Sequence, residues 1–474
     1  MFEWSNMLEW EKVNLIASLC SYLINLGIFA RGCFKKYISW QIEKEPPISY
    51  FNDDFARETI KYRFNEIISK INKEVPEKSP VISYQEFLKA RPEDLKFDEH
   101  PALQTYKNPV NTPIMKEWLT KFKNYDSVSK LVAEAPFIDV EHFYYFYVLS
   151  KTYDVLKDKE KLCLLHPDYD KEKQFDPYKS RKLRMLENDF RQERSRIKNI
   201  LNLIIEIDKN DTDIARKQQI ESILKTNLSA NSSDSSQMFW RDFSDVDPII
   251  DDSEKFWNKY CIYIEPGKTV NIIVDNFGIE FLSDLLLGYY LTKKGVEKII
   301  YHVKVLPMFV SDVVDGDQTI MIKTLKSLID NCQDNEENYK NALNNLSEAV
   351  DKFEFKAHYD LNMPSSFSDL ASSGQDSIKS IFQGENLLIV KGDLNYRRLI
   401  KDNLRSSLKR TVKLIKYINC PLLVIRSYKS NTVLDFKTSD KSKIAKYGPD
   451  WKTEGKVGAI LYYEALTKFR KCNR

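Results

Sequence analysis

Carboxylate and amide side chains follow apolar runs in the second half of this 474-residue chain, where they could bind a metal ion. Asp275 and Asn276 come directly after one such run, and Glu280 and Asp284 follow at helical spacing. Asp312 comes after the next run. Such oxygens are hard ligands, which suit Mg²⁺ or Mn²⁺ rather than structural zinc. A cation held by two carboxylates and one amide keeps positions open for water and a phosphate oxygen, so it can polarise a phosphoryl group.

A glycine and basic side chains follow two further apolar runs. Gly392 permits close approach of the backbone, so the N–H groups of residues 393–396 are candidates for binding an anion. Lys429, together with Arg426, would neutralise charge on phosphoryl oxygens. Taken alone, each of these features is more often a turn, a helix cap or a solvated lysine. Their joint placement favours a binding site, but it does not fix the reaction.

The elements that must position these side chains are short apolar runs alternating with helical patterns. We predict strands at 270–274, 298–305, 387–390, 422–425 and 457–462, and helices at 279–292 and 319–353. Alternation of this kind predicts an α/β fold with a three-layer α/β/α core, in which a mostly parallel sheet is covered on both faces. Ligands of such sheets bind beyond the carboxyl ends of the strands, which is where the polar residues lie.

The first half of the chain has helical patterns instead, and we predict an N-terminal all-helical domain. The helices are expected at 55–71, 137–156 and 181–207, and the Ser/Asn-rich stretch 227–237 is expected to be a loop. The predicted organisation is an N-terminal extension at 1–50, a helical cap domain at 51–262 and an α/β metal-binding catalytic domain at 263–474.

Charge and cysteine content exclude some other classes of protein. The 72 basic and 69 acidic residues nearly cancel, which gives no reason to expect a nucleic-acid partner. Seven scattered cysteines form no CxxC pair, which argues against a zinc ribbon or a disulfide framework and indicates a reducing cytoplasm. The apolar stretch 13–30 is interrupted by polar residues, so we expect a packed or amphipathic helix rather than a membrane anchor.

Three strings resemble the motifs of a known family, the damage-control phosphatases. They are VDNFGIEFLSDLL at 274–286, FVSD at 309–312 and KGDLNYRRL at 391–399. Within that family the chain looks like the subfamily that includes acidic residue methyltransferase 1, also called the sugar-phosphate phosphatase branch or subfamily III. Its Arg-Thr-x-Lys motif matches residues 426–429, where Ser427 replaces the threonine. Residues 410–413 spell the motif literally but lie too close to GDLNY, and they have the pattern of a basic helix.

The resemblance implies a metal-dependent phosphatase that hydrolyses small phosphorylated metabolites, with fructose 1-phosphate and related sugar phosphates as substrates. Mn²⁺, Co²⁺ or Ni²⁺ would support the reaction, and Mg²⁺ is plausible. By position, the metal-binding and catalytic residues would be Asp275, Asn276 and Asp312. The substrate-binding residues would be Gly392, Asp393, Leu394, Asn395, Tyr396, Arg426 and Lys429, with Glu141 a candidate for the sugar end of the pocket.

Two alternatives remain beside the phosphatase. One branch of the family is described as a protein-glutamate carboxyl methyltransferase that uses S-adenosylmethionine, and Glu280 matches a position linked to that cofactor. After the first predicted strand, however, Phe277-Gly278 offers one glycine rather than a glycine-rich loop. The second alternative is a binding protein that has lost catalysis, which the complete set of site residues argues against.

Overall fold

A computed structural model describes most of the chain. The described residues are 54–74, 83–91, 120, 122–156, 176–192, 195–231, 246–331, 337–372, 379–383, 386–402, 405–406, 414–430, 432–434, 444, 446–448 and 451–464. All of them belong to one compact unit, Ile48–Arg474. The predicted extension at 1–50, the apolar stretch 13–30 and the basic stretch 410–413 lie outside the described residues.

A seven-stranded sheet forms the centre of the described structure. Its strands are β1 Asp247–Asp251, β2 Thr269–Ile273, β3 Lys298–Lys304, β4 Glu354–His358, β5 Leu387–Lys391, β7 Leu422–Ser427 and β9 Val457–Tyr463. They lie side by side in the order β1-β9-β7-β5-β2-β3-β4. Neighbouring strands are parallel except for β7 and β9, which are antiparallel. A separate two-stranded pair joins β6 Arg405–Ser406 to β8 Val433–Leu434. The predicted mostly parallel α/β sheet is therefore confirmed.

The strands that the sequence did not reveal are the two edges of this sheet. β1 has the sequence DPIID and β4 has EFKAH, so neither is a continuous apolar run. An edge strand pairs on one side only, and proline and charged residues are tolerated there because they discourage pairing with another chain. β1 also lies within 51–262, the range predicted as a helical cap, and it pairs with β9. The predicted domain boundaries stay predictions.

Helices precede and connect the strands of this sheet. They are α1 Asp54–Glu58, a π-helical turn Thr59–Arg63, α2 Phe64–Glu74, α3 Tyr84–Lys89, α4 Val128–Glu134, α5 Phe137–Leu156, α6 Lys179–Arg191, α7 Arg196–Lys209, α8 Asp213–Asn231, α9 Ser253–Lys259, α10 Ile279–Lys293, α11 Asp317–Asp330, α12 Glu337–Val350, α13 Phe367–Ser372 and α14 Asp393–Leu399. The stretches 181–207 and 319–353, each predicted as one helix, are two helices each.

Alternating side chains of the strands divide the core into two hydrophobic layers. In β5, Leu387 and Ile389 face one layer, and Leu388 and Val390 face the other. The first layer contains α7, α8, α10 and α12, and the second contains α5 and α14. This arrangement is the expected consequence of the two-residue period of a strand in a sheet that is covered on both faces.

The prediction of a loop at 227–237 is wrong for its described part, which belongs to α8. Residues 227–231 continue the helix to its end, and Asn227 and Asn231 are completely buried. Their composition is typical of a loop, but the side chains have hydrogen-bond partners inside the protein: Asn227 Nδ2 donates to Ile223 O at 3.1 Å and Ser283 O at 2.9 Å. In the described part of the chain, no helix has the length and apolar character to cross a membrane.

Candidate active site

The carboxyl end of β2 and the segment after β3 run side by side and bring the predicted metal ligands together. Asn276 and Asp312 form an antiparallel bridge. Phe277 N donates to Ser311 O at 2.6 Å, and Val313 N donates to Asp275 O at 3.2 Å. Backbone hydrogen bonds therefore fix the spacing between Asp275, Asn276 and Asp312, all of which are buried.

A lysine from the end of β3 lies between the two aspartates. Lys304 Nζ donates to Asp312 Oδ1 and lies 3.5 Å from Asp275 Oδ1. The second oxygen of Asp312 accepts a 2.8 Å hydrogen bond from Phe309 N. Burial raises the pKa of Asp312, and the Lys304 ammonium opposes that rise. Lys304 therefore balances the charge of two buried carboxylates that would otherwise repel each other.

Asn276 is held in place by a chain of polar groups that ends on β7. Its Nδ2 donates to Asp275 Oδ2 at 3.2 Å and to Glu280 Oε2 at 2.9 Å, while its Oδ1 accepts from Ser311 Oγ at 2.7 Å. Glu280 Oε1 accepts from Asn231 Nδ2 at 2.8 Å. Both Glu280 oxygens are thus engaged. Burial raises the pKa of Glu280, against the opposing charges of Lys391 and Lys429.

Ser427, the residue that departs from the family motif, completes this chain. Its backbone N and its Oγ donate to Asn231 Oδ1 at 2.7 and 2.8 Å. The hydroxyl retained by the serine therefore joins β7 to the end of α8.

The loop after β5 contacts Asp275, one of the predicted metal ligands, directly. Gly392 has φ +86°, and a Cβ at this position would come within 1.8 Å of Asp275 Oδ2. Asn395 Nδ2 donates to Val274 O at 3.1 Å and Lys391 O at 2.9 Å, which fixes α14 against the ends of β2 and β5. The buried Asn395 Oδ1 has no hydrogen-bond partner within the described structure, so it is an acceptor for a ligand group.

The other predicted substrate-binding residues around this loop have protein partners. Arg426 Nη2 pairs with Asp393 Oδ1, and its guanidinium lies between the rings of Tyr396 and Tyr428, 4.1 and 4.4 Å from their centroids. Arg426 therefore neutralises Asp393 and packs against two aromatic rings. Leu394 is half-buried. Contact of these residues with a substrate stays a prediction.

The lysines near the site are buried rather than solvated. Lys429 is 3% exposed and its charge acts on Glu280. Lys391, which is completely buried, lies 2.8 Å from Asp284 Oδ1 and donates to Asn227 Oδ1 at 2.8 Å. Burial raises the pKa of Asp284 to about 6, against the effect of Lys391.

Glu141 reaches the site region from α5, but its carboxylate contacts protein. Its Oε2 accepts from Arg397 Nη1 at 3.1 Å, and Arg397 also binds Asp402 at 2.7 and 3.0 Å. Burial raises the pKa of Glu141, and Arg397 opposes this. The pair connects the aromatic helix to α14, the helix that follows Gly392. A role for Glu141 at the sugar end of a substrate stays a prediction.

A third lysine that the sequence did not predict as part of the site anchors the segment after β3. Lys182 of α6 donates to Asp176 Oδ2 at 2.7 Å, Asp312 O at 2.5 Å and Asp317 Oδ2 at 3.4 Å. Against the lowering effect of burial, Asp176 and Asp317 hold the pKa of Lys182 above its ordinary value. Lys182 therefore positions Asp312 from the helical part of the chain.

Replacing Lys182 by methionine is expected to lower the free energy of unfolding by about 3–5 kcal/mol, because two buried carboxylates lose their cation. Urea unfolding measures the change. The double variant Lys182→Met/Asp317→Asn should recover part of the loss. Lys130→Met is the matched control, since Lys130 pairs with the exposed Asp126 and its loss should leave the free energy of unfolding nearly unchanged. Equal losses in the two single variants would contradict this role for Lys182.

The donor set fits a hard cation in its chemistry. Asp275, Asn276 and Asp312 offer two carboxylates and one amide, and all of their donors are oxygens. Within the described ranges, no group of three or more His, Cys, Asp or Glu side chains could hold a metal ion, and the predicted set includes the amide of Asn276. The cleft beside Asn276, Glu280 and Ser311 holds about 10 Å³. That is about the space one water needs.

Several of these site residues escaped sequence reasoning, although two kinds of signal mark them. Lys304 and Lys391 are the last residues of the strands KIIYHVK and LLIVK, where each follows a mainly apolar run. Asn227 and Asn231 are spaced by one helical turn, which is visible only if their stretch is taken as helix. Lys182 lies in a helix rich in other basic residues, and nothing in its sequence context singles it out.

Comparison with known proteins agrees with the motifs. A family model described as the damage-control phosphatase ARMT1-like domain matches residues 59–444, most of the chain. The chain belongs to this family. The resemblance of the strings around Asp275, Asp312 and Gly392 to damage-control phosphatases is therefore confirmed.

Individual damage-control phosphatases match the chain at low identity. The protein named damage-control phosphatase ARMT1 from Danio rerio is 24% identical over 403 residues, which is 79% of this chain and 84% of that relative. Proteins of the same name from Bos taurus and Xenopus laevis are 26% and 28% identical over 226 and 200 residues. In these two, the match spans 49% and 43% of the relative's length.

Proposed function

We propose that this damage-control phosphatase requires a divalent metal and hydrolyses small phosphorylated metabolites, with sugar phosphates such as fructose 1-phosphate as substrates. Mn²⁺, Co²⁺, Ni²⁺ or Mg²⁺ would serve. The observation that carries the proposal is the convergence of Asp275, Asn276 and Asp312 beside Gly392, because Gly392 brings the GDLNY loop against the carboxylate of Asp275. In the reaction, a phosphate monoester and water give the alcohol and inorganic phosphate.

The residues of the site divide into those that hold the metal and those that hold the phosphoryl group. Asp275, Asn276 and Asp312 would bind the cation, whose charge polarises the phosphoryl group and lowers the pKa of a bound water. Lys429 would balance negative charge on the phosphoryl oxygens, and Asn395 Oδ1 would accept a hydrogen bond from a substrate hydroxyl. Glu280 and Ser311 keep the Asn276 amide oriented.

The described cysteines bear on where the enzyme is located. Cys261 and Cys420 are both buried and free, which supports a reducing compartment and the cytoplasm as our proposal.

Phosphate release from fructose 1-phosphate by the purified full-length chain tests the proposal. We expect release with Mn²⁺, Co²⁺ or Ni²⁺. EDTA should abolish it, and adding the metal back should restore it. A panel of other sugar phosphates assayed in parallel defines the substrate class. Release that persists undiminished in EDTA would contradict the metal requirement, and no release from any sugar phosphate with any of the four metals would contradict the substrate class.

Methyl transfer is the alternative that the same preparation can test. Glu280, the residue matched to the S-adenosylmethionine position, accepts hydrogen bonds from Asn231 Nδ2 and Asn276 Nδ2 on its two oxygens, so no described contact favours a cofactor there. Transfer of labelled methyl groups to protein glutamates that persists in Asp275→Ala would support the methyltransferase. If no methyl transfer is detected while phosphate release depends on metal, the methyltransferase is contradicted and the phosphatase is supported.

A further inference from the structure

A second cavity lies far from the catalytic residues, at the other end of α10. It is open to solvent, has a volume of about 650 Å³ and is bordered by the first turns of α8, by α9 with the following 3₁₀ turn Cys261–Tyr263, and by Lys294. Helix α10 begins beside Asn276 and ends at Lys293, so its 15 residues separate the two sites by about 22 Å. The cavity is therefore distinct from the active site.

The wall of this cavity collects exposed apolar side chains. Four large hydrophobic residues are exposed in the described part of the chain: Tyr62, Ile214, Ile262 and Tyr263. Ile214 and Ile262, which are 75% and 49% exposed, line the cavity, and Tyr263 follows Ile262 in the same turn. Trp257 adds an aromatic surface. A cluster of exposed apolar side chains around a concavity is typical of a binding site.

Lys294 is the polar group of the cavity that lacks a hydrogen bond. Its side chain is 7% exposed, and its Nζ has no hydrogen-bond partner in the described structure. Asp211 Oδ1 is 4.0 Å away, but the Asp211 carboxylate is already bound by Arg216 at 2.7 and 2.6 Å. Lys294 Nζ also lies 5.6 Å from the centroid of the Tyr290 ring, and this contact does not provide an oxygen acceptor. A buried ammonium without a hydrogen bond is costly.

The other basic residues of the cavity already have acidic partners. Arg216 also pairs with Asp213 at 3.3 Å, and Lys217 pairs with Glu254 at 2.7 Å. Lys294 is thus the basic residue of the cavity best placed to pair with the negative charge of a bound ligand.

We propose that this cavity binds a small organic anion with an apolar body, whose charged group pairs with Lys294 while its body packs against Trp257 and Ile262. Carboxylates and phosphate or sulfonate groups share the necessary chemistry, since each offers several acceptor oxygens to an ammonium. The volume of about 650 Å³ lies within the range of sites for small molecules. The ligand is not the substrate of the catalytic site, because the residues of the two sites are separate.

Two fluorescent probes of the same shape and different charge test the proposal. 8-Anilinonaphthalene-1-sulfonate carries the anion, and N-phenyl-1-naphthylamine lacks it. The wild-type chain is expected to bind the sulfonate more tightly than the neutral probe. Lys294→Met should raise the Kd of the sulfonate about tenfold or more, as the loss of a hydrogen-bonded charge pair implies, and leave the Kd of the neutral probe unchanged.

Neighbouring variants provide the controls. Lys293→Met removes an adjacent lysine that pairs with Asp208 and does not line the cavity, so it should leave both Kd values unchanged. Ile262→Asp changes an exposed wall residue and should weaken binding of both probes. Lys294→Arg keeps the charge and should retain the preference for the sulfonate. Competition by indole-3-acetate and phenyl phosphate then identifies whether a carboxylate or a phosphate is preferred.

Binding of the sulfonate should also depend on pH. Burial, followed by Arg216, lowers the pKa of Lys294 to about 8, while Asp211, Asp213 and Cys261 oppose this. An anion raises that pKa on binding, so affinity should be full below pH 8 and fall as the pH rises through it, in wild type but not in Lys294→Met. Equal Kd values of the sulfonate for wild type and Lys294→Met, or displacement by neither competitor, would overturn the proposal.

Discussion

Replacing Asp275 by alanine is expected to abolish metal-supported phosphate release, lowering kcat/KM by about 10³-fold or more, the scale on which a group that stabilises transition-state charge acts. The carboxylate faces three features of the site at once. Its Oδ1 lies 3.5 Å from Lys304 Nζ, its Oδ2 accepts from Asn276 Nδ2, and Gly392 packs against the side chain. Loss of this carboxylate removes one of the two proposed anionic ligands and one hydrogen-bond acceptor of Asn276 Nδ2.

The fold should survive this change, because Lys304 keeps Asp312 as a partner. Circular dichroism of Asp275→Ala is therefore expected to match that of the wild type at ordinary temperature. Asp275→Asn is the finer test, since it keeps the size of the side chain and loses only the charge, and it should lose activity to a similar degree. Asp126→Asn, at a residue whose side chain is 86% exposed, is the matched control and should retain full activity. Wild-type kcat/KM in Asp275→Asn would contradict the role of the carboxylate.

Replacing Gly392 by alanine is expected to inactivate the enzyme and destabilise it. The backbone has φ +86° and ψ 163°, a region that is essentially restricted to glycine, so a residue with a side chain is strained there by about 1–3 kcal/mol. In addition, the new Cβ would come within 1.8 Å of Asp275 Oδ2, a contact that no real structure tolerates. Either the GDLNY loop or the metal-binding carboxylate must move, and both belong to the proposed site. Thermal unfolding and phosphate release measure the two effects.

Gly278→Ala separates the backbone cost from the clash. Gly278 has φ +92°, nearly the same as Gly392, but a Cβ there meets no atom within 4 Å. This variant should therefore lose only the conformational contribution of about 1–3 kcal/mol. Gly392→Ala is expected to lose more stability than Gly278→Ala and far more activity. Equal losses in the two variants would show that the approach of Gly392 to Asp275 has no special importance.

A helix or strand is predictable from sequence when the pattern of its residues reflects which of its faces are buried. The central strands β2, β5 and β7 are continuous apolar runs because both of their faces are covered, and each was predicted within a residue or two. Helix α5 was predicted at its observed bounds, Phe137–Leu156. The edge strands β1 and β4 were missed, since one side of an edge strand has no partner and its residues carry no continuous apolar signal.

Polar residues inside helices were harder to interpret. Asn227 and Asn231 have the composition of a loop, yet they are buried in α8 and bind Lys391 and Ser427. Helix propensity disfavours asparagine, and here hydrogen bonds to distant parts of the chain outweigh that preference. Lys182 is comparable, because its three acceptors come from separate stretches that no local pattern connects.

The sequence by itself determined the α/β sheet, the family and the identity of Asp275, Asn276 and Asp312 as neighbours at strand ends, because strand periodicity and motif strings are local properties. Only the tertiary structure decided which charges balance one another. It placed Lys304 between the two aspartates, Arg426 on Asp393 and Arg397 on Glu141. Such pairs depend on the register of adjacent strands and on helices packed across the sheet, and those distances are set by the whole fold rather than by any one segment.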